Sequence, residues 1–288
     1  KNGMAAITAA HTEHPFAARP VTRAYSWLTD QVVSITIDIV RNYLHPLPSP
    51  TRAERLSVVA VGGYGRGEMA PFSDVDLLFL MPYKLTGWAE SLIESTLYIL
   101  WDLKLKVGHA SRTIKDCIRL AHDDFTIRTS LVEYRFLSGD EALAEELGER
   151  LWQDLFKDTA SEFIEVKLEE RSTRHRKQGG QRYVVEPNIK EGKGGLRDLH
   201  VLYWITRFLD RDGKITDPQR ATDYTKMGLF DERAAKRFRR AADFLWRTRH
   251  HLHWTAGRPT EQLSFDMQVR LAPMMGHAVE EVEVAVER

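Results

Sequence analysis

Leu56 to Val61 is an apolar, β-branched run that ends abruptly at Gly62-Gly63, and ten residues later Asp74 and Asp76 open a second such run through Met81. No other stretch of the chain restricts its fold as strongly. It predicts strand, glycine-rich turn, strand. Alternate residues of a strand share a face, so Asp74 and Asp76 point the same way with Cα atoms about 6.5 Å apart, while Val75, Leu77 and Phe79 face the other way into a core. Two like charges held that close require a cation between them. A pair of Asp side chains suits two Mg²⁺ ions about 3.5–4 Å apart, which activate an attacking hydroxyl and neutralise a departing polyphosphate. The glycines add backbone N–H groups that, free of Cβ crowding, approach phosphate oxygens closely.

The spacing Gly62-Gly63, ten residues, Asp74-Val75-Asp76-Leu77 resembles the signature of the DNA polymerase β-type nucleotidyltransferase superfamily. The fuller GGYGRGEMAPFSDVDLLFL resembles its bacterial PII uridylyltransferase branch. A Walker A reading fails, because Gly67 is followed by Glu68-Met69 where Lys and Ser/Thr belong, and no G-x-G-x-x-G can be written here. The competing structural reading is a tight turn between ordinary strands with two solvated aspartates. A turn, however, needs neither four glycines nor carboxylates on a strand face.

The resemblance implies an α+β fold, a small mixed β-sheet nucleotidyltransferase core with helices followed by an all-helical domain. It implies transfer of UMP from UTP to a tyrosine of the PII nitrogen-regulatory protein, with release of pyrophosphate and dependence on Mg²⁺. Asp74 and Asp76 are then the catalytic and metal-binding pair for two ions, and Gly62, Gly63, Arg66 and Ser73 contact the triphosphate. Many superfamily members carry a third carboxylate on a later strand. Lys106 to Ser111 has none, so either Glu133 folds in or a third ligand is dispensable.

At 288 residues the chain has room for two domains of about 150 residues. Lys+Arg 41 against Asp+Glu 41 argues against a generic nucleic-acid or membrane-surface protein. Cys117 is the only cysteine, so no disulfide forms within the chain and a reducing cytoplasm is the expected home. No apolar run reaches the ~18 residues of a membrane span and no signal peptide is visible.

Residues 1–20 read as polar, alanine-rich and ill-ordered at the start. Leu28, Val32, Ile35 and Ile39 give a helix from Thr22 to Tyr43, stopped by the proline-rich connector at 45–50. Ala89, Leu92, Ile93, Leu97 and Leu100 mark a second helix, followed by a strand near Lys104 to Arg112; Thr113 and Asp116 cap the helix after it. Residues 126–137 read as helical or mixed and Ser138-Gly139-Asp140 as a turn. The resulting divisions are 1–50, an N-terminal helix and connector; 51–140, the nucleotidyltransferase core; and 141–288, the helical domain. His122-Asp123 lacks the further ligands of an HD phosphohydrolase and reads as part of a surface helix.

In the helical domain, Arg171 to Lys177 reads either as a solvated helix end or as a phosphate contact. The segment Glu186 to Trp204 places Lys190, Lys193, three glycines and Arg197 at a helix start, a pattern suited to an anion. Its form N-x-K-x-G-x-G-G-x-R-D resembles an element shared by PII uridylyltransferases and glutamine-synthetase adenylyltransferases, which implies nucleotide-binding roles for Lys190, Lys193 and Arg197. A loop that only docks the helical domain is the alternative. Residues 210–230 carry turn signals at Asp212-Gly213 and Asp217-Pro218, and Asp231 opens a long helix with Arg233, Lys236, Arg237, Arg239 and Arg240 on one side. His250, His251 and His253 lack a matching carboxylate or Cys at ligand spacing and read as a basic helix end rather than a metal cluster. The resemblance spans about residues 55–275. The HD and ACT domains with which the family continues are not recognisable, which predicts the transferase half without its regulator. Three other readings stay open: a protein adenylyltransferase acting on glutamine synthetase, a non-catalytic nucleotide-binding regulator, and nucleic-acid binding through the 231–253 helix.

Overall fold

The computed structural model describes residues 2–14, 18–179, 184–210 and 220–277; Gly180 and the turn signals at 212–213 and 217–218 lie outside them. The chain opens with α1 (Asn2–Glu13), a helix where an ill-ordered start was expected, and α2 (Ala18–Ile39), extended by one widened turn at Val40–Leu44. The buried face of α2 carries Val33, Thr36, Ile37 and Val40, whereas Ile35 and Ile39 are 56% and 44% exposed. The apolar periodicity misleads here because Thr36 satisfies its hydroxyl on the Val32 carbonyl at 2.7 Å, which lets a polar residue turn inward.

Next come β1 (Ser57–Ala60), a single helical turn α3 (Gly62–Gly65), β2 (Val75–Met81), α4 (Gly87–Asp102), β3 (Val107–Thr113), α5 (Ile114–Asp123), α6 (Phe125–Val132), β4 (Arg135–Gly139) and α7 (Glu141–Leu151). The sheet order is β3-β2-β1-β4. β1 runs antiparallel to both β2 and β4, while β2 and β3 are parallel, and α4 supplies the long connection that a parallel pair needs. The expected strand, strand, helix, strand order is present. β4 is an addition, formed where a mixed segment and a turn were expected; its residues are half-buried and become a strand by pairing with β1. Val59, Leu78 and Leu80 pack beneath Ile114, Cys117, Ala121, Leu143 and Leu147. The anticipated cap of α5 is a full capping box, with Thr113 Oγ1 accepting from Asp116 N at 3.1 Å and Asp116 Oδ2 accepting from Thr113 N at 3.4 Å. His122 and Asp123 sit exposed at the end of that helix.

Among the described residues there follow the helices α8 (Ala160–Lys177), α9 (Leu196–Leu209), α10 (Ala221–Lys226), α11 (Glu232–Ala256) and α12 (Phe265–Leu271). Asp231 caps α11 by accepting from Ala234 N at 2.6 Å, and Gly257 ends it in the left-handed region at φ 64°. Arg233, Lys236, Arg237, Arg239 and Arg240 are exposed as expected. His250, His251 and His253 are buried instead of forming a solvated basic end. The His11 ring lies 4.7 Å from that of His251 and 4.4 Å from that of Trp254. Among the described residues no group of three or more His, Cys, Asp or Glu could hold a metal, and no helix is long and apolar enough to cross a membrane.

Two compact units result. Ser26–Glu68 and Ser73–Phe163 contain the sheet; Lys1–Tyr25, Met69–Phe72 and Ile164–Arg288 form a helical unit. The division thus follows Phe163 rather than residue 140, and the first turns of α2 fall in the helical unit.

Candidate active site

The glycine turn in the sheet unit is built by specific close approaches. Gly62 has φ +60°, a left-handed conformation that side chains resist. A Cβ at Gly65 would lie 2.1 Å from the Glu133 carbonyl oxygen and 2.9 Å from that of Ala60, so only glycine seats α3 against the end of α6. Arg135 braces the turn from β4, donating to the carbonyls of Tyr64 at 3.2 Å and Gly65 at 3.3 Å while its guanidinium grips Asp30 of α2 at 2.9 and 3.0 Å.

Arg66, expected at the triphosphate, is held in the protein interior. Its side chain is only 6% exposed and is paired with Glu68 at 2.8 Å and with Glu133. Burial works against the guanidinium charge, but Glu133 and then Glu68 outweigh it and hold the group above its ordinary range. The same pairing turns Glu133, the alternative third carboxylate, towards Arg66 with its side chain 3% exposed. Arg66, Glu68 and Glu133 therefore form a buried ionic brace beneath the turn.

Asp74 and Asp76 are positioned differently. The Asp74 side chain is 65% exposed, with Lys106 Nζ 4.0 Å from Oδ1, and Ser73 before it is half-buried. Asp76 is half-buried and lies between two glycines: a Cβ at Gly62 would come within 3.2 Å of its Oδ2, and one at Gly108 within 2.7 Å of its Oδ1. Gly108 is directly opposite Asp76 in the parallel β2–β3 register. Gly108 of β3 thus makes room for the Asp76 carboxylate. A lone glycine inside a strand pattern signals such close approach, and this was the available clue to Gly108. Arg135, Asp30 and Glu68 carried no comparable signal. Beside Asp76 opens a cavity of about 350 Å³, lined among others by Gly62, Gly108, His109, Arg112, Ser130 and Leu131.

The chemistry of the two aspartates fits Mg²⁺. That ion takes one or two carboxylates and completes its six oxygens with water and substrate phosphates. Asp74, just before β2, and Asp76, within it, could supply hard oxygen donors to such an ion beside the glycine turn.

Lys190, Lys193 and Arg197 lie in the helical unit. The backbone N–H groups expected to bind an anion there are consumed internally. Asn188 Oδ1 accepts from Lys190 N at 3.0 Å and Glu191 N at 2.7 Å, Asp198 Oδ2 accepts from Gly194 N at 2.8 Å, and the Ile189 and Lys190 carbonyls accept from Leu196 N and Arg197 N. Arg197 pairs with Glu191 at 2.9 Å, while Arg174 and His175 pair with Asp198, so these two of the 171–177 stretch support this loop. Lys190 is half-buried, with its pKa lowered by burial and by Arg249 and Arg197, and the Lys193 side chain is exposed.

Residues 49–136 match the nucleotidyltransferase domain family, and residues 162–288 match the GlnD PII-uridylyltransferase family. The chain is 59% identical over 275 residues to a bifunctional uridylyltransferase/uridylyl-removing enzyme of Ruegeria pomeroyi, covering 96% of this chain and 30% of that protein. An enzyme of the same description from Cereibacter sphaeroides is 55% identical over 276 residues, covering 96% and 29%, and one from Caulobacter vibrioides is 51% identical over 267 residues, covering 93% and 28%. The chain spans 28–30% of the length of these curated relatives.

Proposed function

From these matches we propose that this chain belongs to the PII-uridylyltransferase family of nucleotidyltransferases and transfers UMP from UTP to a tyrosine hydroxyl of the PII signal protein. The observation that carries the reading is the seating of Asp76 between Gly62 and Gly108, beside a cavity of about 350 Å³ and two residues from Asp74. Such a volume suits a small ligand.

In this reading Asp74 and Asp76 hold two Mg²⁺ ions. Bound there, the metal supplies positive charge that favours the phenolate and offsets charge on the departing pyrophosphate. Gly62 and Gly63 leave the turn open to a triphosphate, with Ser73 adjoining it. The tyrosine oxygen forms a bond to the α-phosphorus, the bond between the α-phosphorus and its bridging oxygen breaks, pyrophosphate leaves and the phenolic proton passes to solvent. A phenol of pKa near 10 is a poor nucleophile at neutral pH, which is why the carboxylate geometry matters. Arg66 acts through the shape of the turn, and Arg197, paired with Glu191, acts in holding the loop that carries Lys190 and Lys193. Purified PII protein, Mg²⁺ and labelled UTP or ATP test this reading: label from UTP on a PII tyrosine is expected, whereas label from ATP alone would replace uridylyl with adenylyl transfer.

A further inference from the structure

Met69–Phe72 connects the glycine turn to Ser73-Asp74 in sequence, yet it packs within the helical unit. Ala70 is buried with Ala18, Leu196 and Trp246. His253, fully enclosed, donates from Nδ1 to the Pro71 carbonyl, which can only accept, so Nδ1 carries the proton. On its other side His253 Nε2 lies 3.7 Å from Glu261 Oε1, and Arg249 grips that carboxylate at 2.6 and 3.0 Å. The Glu261 carbonyl accepts from Ile189 N at 2.9 Å, and Gln262 pairs with Asn188. A continuous set of contacts therefore runs from the loop that opens α9, through Glu261 and His253, to Pro71. Phe72 follows at φ +63°, a conformation that a bulky side chain adopts only when its surroundings impose it.

We infer that His253 is a positioning residue for transfer: by fixing Pro71 it holds the Met69–Phe72 strap and thereby sets the backbone that presents Asp74. The inference rests on the proposed reading that Asp74 and Asp76 are the catalytic pair. The Asp74 side chain is 65% exposed, so its place is set by its backbone more than by packing, and Pro71 is only three residues upstream. A metal-binding carboxylate must be held within about 0.5 Å of its working position.

The test compares His253→Leu with His253→Asn, whose side-chain amide N–H can replace the Nδ1 donor, measuring kcat and KM for UTP with PII protein alongside nucleotide-free melting. His253→Leu is expected to lower kcat by about 10- to 100-fold with KM for UTP changed less than about 3-fold, and His253→Asn to recover to within about 5-fold of wild type. If His253→Leu melts below the assay temperature, Glu261→Gln, which keeps the volume and removes the charge facing Nε2, must show the same selective loss in kcat. Unchanged kcat in the variant that folds, or equal losses in the Leu and Asn variants that track melting, would overturn the inference alone. A wild-type chain without transfer activity would overturn the functional reading and this inference with it.

Discussion

Gly108→Ala separates the chemistry of the site from its stability. Gly108 is exposed on β3 and outside the positive-φ set, so alanine is compatible with its backbone. Removing a strand-interior glycine should stabilise the fold by about 0.5 kcal/mol through the entropy of the unfolded chain. The new Cβ would nevertheless stand 2.7 Å from Asp76 Oδ1, well inside ordinary contact. The yielding partner is the end of a side chain rather than backbone, so the carboxylate rotates away by roughly 0.5 Å at little cost to folding. For a metal-binding group that displacement is large, and a 10- to 100-fold loss in kcat, about 1.4–2.7 kcal/mol of barrier, is expected. The assay is label transfer from UTP to PII protein across a Mg²⁺ titration, with melting measured in parallel and Gly87→Ala as control, since a Cβ there meets nothing within 4 Å. A Gly108→Ala chain that melts at or above the wild-type temperature and transfers at the wild-type rate would refute the reasoning.

Arg66→Met leaves Glu68 and Glu133 buried without their shared cation, so it should destabilise the chain by about 3–5 kcal/mol in urea unfolding; a variant of unchanged stability but weakened UTP binding would restore the phosphate-contact role. His11 has its pKa lowered from 6.5 to about 4, by burial and then by the neighbouring His251. The unfolded chain therefore binds a proton that the folded chain refuses as pH falls from 6.5 towards 4, so the stability present above pH 6.5 is lost across that window by up to about 3 kcal/mol. Melting temperature against pH should fall less steeply for His11→Phe than for wild type, and parallel curves would remove His11 as a source of acid lability.

Local features of the fold were the legible ones. The two strands about the glycine turn, the α5 capping box and the Asp231 start of α11 depend on residues within a few positions of one another, and the sequence shows them directly. What distance in sequence conceals was harder to read. Arg66 reads as a phosphate ligand from its place in the motif, and only the fold brings Glu133, 67 residues away, against it. The loop at 188–198 has an anion-binding composition, but the side chains of Asn188 and Asp198 occupy amides on which that reading depended. The α2 face was misread because a threonine bonded to its own helix can be buried, and β4 because its short half-buried sequence becomes a strand only through pairing with β1. Met69–Phe72 joins the helical unit although both flanking segments belong to the sheet unit, a division that local patterning cannot express.

The proposed role of Asp74 and Asp76 in Mg²⁺-dependent uridylyl transfer meets its plainest trial in single-turnover transfer of label from UTP to PII protein by wild type and Asp76→Asn at saturating Mg²⁺. Wild type is expected to label a PII tyrosine, and the variant, equally folded by circular dichroism, to be slower by on the order of 10² or more. Transfer by Asp76→Asn at a near-normal rate would contradict the assignment.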